Sequence, residues 1–415
     1  MIDLSPFIRP GDTVFLGQGT GEPQTLFEAL VAQRQILGPL SIFMGACFTD
    51  ILRPEHADVL RAGSYGTLGT TRALAAAGAL DIYPIHIARI AQSIISGAIA
   101  CDVALVQLSP KGPNGKHSLG PINDYMRAAI AKARVVIAEV NAAIPWTYGA
   151  ELPALDTLAL TIETDRPPAE LASRPATALE SAIAANIAAI VPDGATLQVG
   201  IGGTIDALLG CLKDRRDLGI HSGTIGDSVL DLIEAGVITN AQKPIDAGVT
   251  VTGSLFGTSR LMDAARENPA FRVEPFEYTH AAGVLAQIPN LFAINSAVEV
   301  DITGQVNAEA ANGRYIGAVG GQIDFMHAAN AAERGCSIIA LPSTAAGGAA
   351  SRIRGSVDMV TCARADVDFV VTEYGVADLR GRCLRDRMRD MIGISAPAFR
   401  EALERESHAR SRRGF

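Results

Sequence analysis

The chain has 415 residues, 48% of them apolar and 19% charged, and a formal net charge of −9. That length exceeds one small core, so two domains are expected. An acidic field repels nucleic acid and anionic membrane surfaces, which argues against either as a general partner.

The N-terminus carries no basic region leading into an apolar stretch, so no secretory signal is expected. The weakly charged stretch 278–298 is interrupted by Gln287, Pro289, Asn290 and Asn295 and does not read as a membrane span. Six cysteines are scattered without a C-x-x-C pair, the pattern of reduced, mostly buried thiols in a cytoplasmic protein.

Along the chain, short apolar runs alternate with helix-like stretches. Strands are expected at Thr13–Leu16, Val103–Leu108, Val135–Val140, Leu197–Val199, Ser337–Leu341 and Phe369–Thr372. Helices are expected at Pro23–Arg34, Tyr125–Lys132, Ala178–Ile190, Ile205–Lys213 and Asp227–Glu234. This alternation indicates α/β layers around a largely parallel sheet. The segment Thr164–Thr177, with three prolines and no apolar periodicity, reads as a linker. It divides the chain into domains over 1–170 and 178–415. The halves also echo each other. IRPGDTVFLGQGTGEPQTLFEAL before the linker resembles IVPDGATLQVGIGGTIDALLGCL after it, and ACDVALVQLSP resembles ADVDFVVTEYG. Two copies of one α/β unit are expected, with chance similarity as the alternative.

Glycine bends follow two of the strands, at Gly17, Gly19 and Gly21 and at Gly200, Gly202 and Gly203. Neither has the G-x-G-x-x-G spacing of a dinucleotide fold. Tight turns alone would explain them, but they also offer close backbone approach and free N–H groups at a helix start, suited to phosphate or an oxyanion. Further glycines cluster at 317–321 and at Gly375 and Gly381. Over residues 291–304, a period of two places Ala293, Asn295, Ala297, Glu299 and Asp301 on one face. Small neighbours leave room above Glu299, although the pattern alone favours a solvent-facing Glu on an edge strand. No G-x-S-x-G elbow, H-E-x-x-H or P-loop is present, and seven isolated histidines show no metal-ligand spacing. Arginines at 352, 354, 364, 380, 382 and 385 form either a solvated face or a site for adenosine phosphates.

Ordered blocks across nearly the whole chain resemble the acetyl-CoA hydrolase/transferase group of class I CoA-transferases. They include LQVGIGG (197–203), INSAVEVDITGQV (294–306), VGGQIDF (319–325), SIIALPST (337–344), SRI (351–353) and VDFVVTEYGVADLRG (367–381). The resemblance implies two related open α/β domains with the active site in the cleft between them. It implies a homodimer or higher homo-oligomer, coenzyme A as substrate, no permanently bound cofactor and no metal. The family's catalytic glutamate maps onto Glu299 and not onto Glu309. The activity implied is ping-pong CoA transfer between carboxylic acids through a glutamyl-CoA thioester, with acetyl-CoA or another short acyl-CoA as donor. An acyl-CoA hydrolase on the same scaffold, and a non-catalytic CoA-binding protein, are the alternatives. Oxyanion or substrate contacts are expected from Gly200, Gly202, Gly203, Gly320, Gly321, Gln322 and Gly375, and CoA phosphate contacts from Arg352, Arg364 and Arg380. Departures at SGTIGDS (222–228), WTYG (146–149) and NAEAANGRYIG (307–317) bear on the acceptor acid rather than the reaction class.

Overall fold

The computed structural model describes residues 2–152, 158–412 and 414. They form two compact units, one of residues 1–172, 223–227 and 249–281, the other of 173–222, 228–248 and 282–415. The first crossing falls inside the proline-rich linker. The two contiguous domains expected from sequence do not describe the units, because 249–281 returns to the first. Backbone bonds hold it there: Leu255 N–H donates to Pro121 O at 2.8 Å and Val273 N–H to Tyr148 O at 2.8 Å, while Asn123 Nδ2 donates to Val273 O at 2.9 Å. Such pairings join residues more than 100 positions apart and leave no local sequence signal.

The first unit is built on seven strands: β1 (Thr13–Leu16), β2 (Leu40–Phe43), β3 (Leu60–Ser64), β4 (Leu80–Ile82), β5 (Val103–Leu108), β6 (Val135–Asn141) and β7 (Leu158–Thr164). All pair in parallel, in the order β4-β3-β2-β1-β5-β6-β7. Successive strands are added in one direction from β1 to β4 and in the other from β5 to β7, so the switch point of a doubly wound fold lies between β1 and β5. All six residues of β5 are buried, as a strand covered on both faces requires, whereas β7 at the edge alternates exposed and half-buried residues.

The second unit opens with β8 (Thr196–Gln198) and β9 (Gly219–Ser222). Two short strands, β10 (Thr250–Thr252) and β11 (Phe271–Val273), pair in parallel within the first unit. The second unit resumes with β12 (Leu291–Ser296), β13 (Glu299–Asp301), β14 (Val306–Asn307), β15 (Ala310–Ala311), β16 (Arg314–Tyr315), β17 (Cys336–Ala340), β18 (Thr344–Ala345), β19 (Ala350–Ser351), β20 (Ile353–Arg354), β21 (Phe369–Thr372) and β22 (Gly375–Asp378). Its main sheet runs β9-β8-β12-β17-β21-β22, parallel except for the β21–β22 hairpin. The switch point lies between β8 and β12.

The expected internal repeat holds for its opening motif. β1 leads through helix Gln24–Ala32 to β2 beside it, and β8 leads through helix Gly203–Cys211 to β9 beside it. The second echo does not hold: β5 adjoins β1, but β21 lies three places from β8. The helix Ala178–Ala188 starts where a capping box dictates, with Thr177 Oγ1 accepting from Glu180 N–H and Glu180 Oε2 accepting from Thr177 N–H at 2.8 Å.

A separate three-stranded sheet, β14-β13-β20, packs on the second core. Val300, Ile302 and Ile353 are fully buried with Leu291, Ile339, Val370 and Leu379. Each such side chain contributes about 1.5–3 kcal/mol by burial, enough to hold the small sheet in register. Of the six unpaired cysteines, Cys211 and Cys383 are exposed and the other four buried. Among the described residues no helix is long and apolar enough to cross a membrane.

Candidate active site

Parallel neighbours β8, β12, β17 and β21 end on the same side of their sheet, and loops at such carboxyl ends are where open α/β folds take ligands. At the switch point, Gln198 and Asn295 exchange side-chain amide bonds of 3.2 and 2.9 Å, tying the ends of β8 and β12. The glycine bend follows immediately. A Cβ at Gly200 or Gly202 would meet nothing within 4 Å, and Gly202 holds φ at +113°. Gly203 differs, since a Cβ there would fall 2.4 Å from Glu180 Oε1. Its missing side chain makes room for a carboxylate of the protein itself.

The continuous period-two strand expected over 291–304 is broken. β12 ends at Ser296, and after Ala297–Val298 the chain enters β13 in the small sheet. Val298 N–H donates to Asn307 O at 2.8 Å, Val300 N–H to Arg352 O at 2.9 Å and Ile302 N–H to Arg354 O at 2.9 Å. Glu299 therefore sits on a central strand, not an edge, and its side chain is only 19% exposed. Val300 and Ile353 pair in register and point into the core. Alternation then sends Glu299, Arg352 and Arg354 to the opposite face.

Arg354 Nε lies 3.7 Å from Glu299 Oε1. Arg352 is half-buried; burial holds its pKa below the ordinary guanidinium value, and the Glu299 carboxylate acts in the opposite direction. Its Nη1 reaches Val298 O at 3.4 Å, and among the described residues its buried Nε has no acceptor.

Two nearby acids are engaged differently. Glu309 accepts from Tyr315 Oη at 2.9 Å and from Thr361 Oγ1 at 2.8 Å, both neutral donors. Asp301 Oδ1 accepts from Thr303 N–H at 2.8 Å and Gln305 N–H at 3.1 Å, closing the turn after β13.

Gly320, with φ +62°, and Gly321 precede the helix Gln322–Ala331, which packs on β12 and β17 and leads into β17. Running antiparallel to those strands, it brings its N-terminus to their carboxyl ends, where the first N–H groups have no helical partner. Gln322 Nε2 donates to Cys362 Sγ at 3.2 Å, and Cys362 exchanges backbone bonds with Val306 on β14, next to β13. Gly375 opens β22 with φ +135°.

Sequence reasoning missed two residues that join these loops. Glu373 accepts from Ser343 N–H at 2.9 Å and from Ser343 Oγ at 2.6 Å, and Ser343 O accepts from Arg352 N–H at 2.8 Å. Ser343 and Glu373 thus brace the backbone of Arg352, between β19 and β20. Both lie in the blocks ALPST and TEYG, but a Ser and a Glu separated by 30 residues give no local sign of pairing.

The three arginines expected to bind phosphate are engaged differently. Arg352 faces Glu299. Arg380 is held by Asp378 through bonds of 2.9 and 2.8 Å and lies 4.3 Å over the Phe369 ring. Arg364 donates its N–H to Gln305 Oε1 at 2.5 Å, and its carbonyl accepts from Arg387 Nη1 at 2.7 Å.

Residues 2–157 match the acetyl-CoA hydrolase/transferase N-terminal domain, and residues 257–407 match the corresponding C-terminal domain. These matches, with the doubly wound sheets, place the chain among the CoA-transferases as a class of enzyme. The chain belongs to the acetyl-CoA hydrolase/transferase family. It is 38% identical over 401 residues to the 4-hydroxybutyrate coenzyme A transferase of Clostridium kluyveri, covering 95% of this chain and 93% of that protein. RipA from Yersinia pestis superposes with a TM-score of 0.89 at 31% identity, covering 98% of this chain and 95% of that one. A 4-hydroxybutyrate CoA-transferase from Porphyromonas gingivalis superposes with a TM-score of 0.84 at 34% identity, covering 98% and 95%.

Proposed function

We propose that the chain is an acyl-CoA:carboxylate CoA-transferase that works through a thioester between Glu299 and CoA, with acetyl-CoA or another short acyl-CoA as donor. The observation that carries this reading is the setting of Glu299: a largely buried carboxylate on a central strand, faced by Arg352 and Arg354.

In the first half-reaction, a Glu299 carboxylate oxygen attacks the thioester carbonyl of the donor. The C–S bond breaks, giving an acyl-glutamyl anhydride and CoA thiolate. The thiolate attacks the glutamyl carbonyl, the anhydride C–O bond breaks, and the donor acid leaves as its carboxylate. The second half runs these steps in reverse with the acceptor carboxylate, ending in acceptor acyl-CoA and free Glu299. One thioester is exchanged for another, so no ATP is needed, and one hard step becomes several easier ones. Each tetrahedral intermediate carries an oxyanion. The N–H groups at Gly200, Gly202, Gly320, Gly321 and Gly375 are donors for it, and losing one such donor typically costs about 3–4 kcal/mol of barrier.

Mixing enzyme with acetyl-CoA and measuring intact mass tests this. A gain equal to CoA less one water, lost in Glu299→Gln, is expected; wild-type enzyme that turns over without any adduct rejects the mechanism. Whether CoA release needs an added acid separates the transferase from the hydrolase reading.

A further inference from the structure

Glu299 changes charge during the proposed cycle, but the arginines facing it do not. In the resting enzyme its carboxylate stands opposite Arg352 and Arg354. In the glutamyl-CoA intermediate that carboxylate has become a neutral thioester carbonyl, and both cations have lost their anion. The effect is greatest at Arg352. Its guanidinium is half-buried, its Nε already lacks an acceptor, and the chain of bonds from Glu373 through Ser343 to its backbone keeps it in place. Arg354 is 46% exposed on its side chain, so water can solvate its charge instead.

A buried cation stripped of its counter-ion binds a new one in preference to a neutral molecule. Resting on the glutamyl-CoA reading, we propose that Arg352 is the receptor for the acceptor's carboxylate. It becomes available only when Glu299 is thioesterified, and it thereby favours a carboxylic acid over water as the group that resolves the intermediate. This assigns Arg352 to acceptor selection rather than to a CoA phosphate. An incoming carboxylate held there keeps one oxygen on the guanidinium and turns the other toward the glutamyl carbonyl three residues beyond the end of β12.

The test starts from the pre-formed intermediate. Enzyme is loaded with acetyl-CoA, desalted, checked by mass for the adduct, and mixed with buffer alone or with increasing acetate. For Arg352→Gln, the second-order rate constant for acetate should fall about 30-fold, as expected for loss of a charge-assisted hydrogen bond. Decay in buffer alone should fall by much less than the acetate rate, with partial recovery of the acetate rate in Arg352→Lys. Equal losses toward acetate and water, or an undiminished acetate rate, would overturn the proposal.

A second measurement needs no variant. Nitrate, a planar unreactive anion, should inhibit the attack of acetate on the wild-type adduct at least about tenfold more strongly than it inhibits loading of free enzyme by acetyl-CoA. Equal inhibition of both steps, or none, refutes the proposal whether or not the variant loads. Wild-type enzyme that forms no adduct defeats the Glu299 mechanism itself, whereas an adduct indifferent to Arg352 and to nitrate defeats only the assignment of Arg352.

Discussion

The two switch points have the same topology, a parallel strand followed by a glycine bend and a helix, but only one is open. In the first unit a Cβ on Gly17 would fall 2.4 Å from Gly21 O, and one on Gly19 would fall 2.6 Å from Phe256 Cε1. Gln18 fills the remaining space, its Oε1 accepting from Ala46 N–H at 2.8 Å and Tyr65 Oη at 2.7 Å. The buried Glu22 beside that bend accepts from Phe48 N–H and Thr49 Oγ1, and burial pushes its pKa upward. In the second unit, side chains at 200 and 202 would meet open space, and the carboxylate of Glu299 faces arginines. The same backbone device gives close packing in one copy and access in the other, and what surrounds the glycines decides which.

The largest effect is expected at Glu299. Glu299→Gln should lower turnover at least about 10⁴-fold, the scale seen when a covalent nucleophile is removed. Glu309→Gln should keep turnover within about tenfold, because its partners are neutral hydroxyls: one can donate to the amide oxygen while the other accepts from the amide N–H. Steady-state rates with acetyl-CoA and butyrate decide both; comparable losses would dissolve the contrast between the two acids.

Behind the closed bend, Asp124 is fully buried and burial pushes its pKa up to about 7. The folded protein keeps a proton there that the unfolded chain loses above about pH 4, so folding stability falls as pH rises from about 4 to 7. Asp124→Asn removes this penalty and should gain on the wild type by a few kcal/mol, order of magnitude, between pH 4 and 8. Urea melts across that range give the difference; parallel curves would show that Asp124 is ionised in the folded state.

Gly19→Ala should destabilise the first unit by about 1–3 kcal/mol through overpacking against Phe256, with added strain at φ +52°. Gly200→Ala should leave stability within about 0.5 kcal/mol while raising the KM for acyl-CoA. Thermal melts alongside kinetics read both, and a destabilised Gly200→Ala would mean that the second bend is packed after all. The smallest effect is expected for Arg380→Gln, whose exposed ion pair with Asp378 contributes about 0–1 kcal/mol.

The sequence carried the local information well. The strands and helices it marks lie within a few residues of those observed, because apolar runs, the Thr177–Glu180 box and glycine bends act over short spans. Glu299 was named through family resemblance, since its pattern alone favoured an exposed edge residue. What stayed hidden is long-range: the break at Ala297–Val298 that moves Glu299 into a second sheet, the return of 249–281 to the first unit, and the bracing of Arg352 by Ser343 and Glu373. Each depends on which distant strand a residue meets.

The Glu180 carboxylate has a further consequence. It caps Thr177, pairs with Arg174, lies well below the usual carboxylate range at about 2, and occupies the volume a side chain at 203 would need. A library randomised at position 203 should therefore return glycine almost alone, even though residue 203 need touch no substrate. Shortening Glu180 to Ala in the same library should let alanine and serine through, separating intolerance caused by crowding from intolerance caused by chemistry.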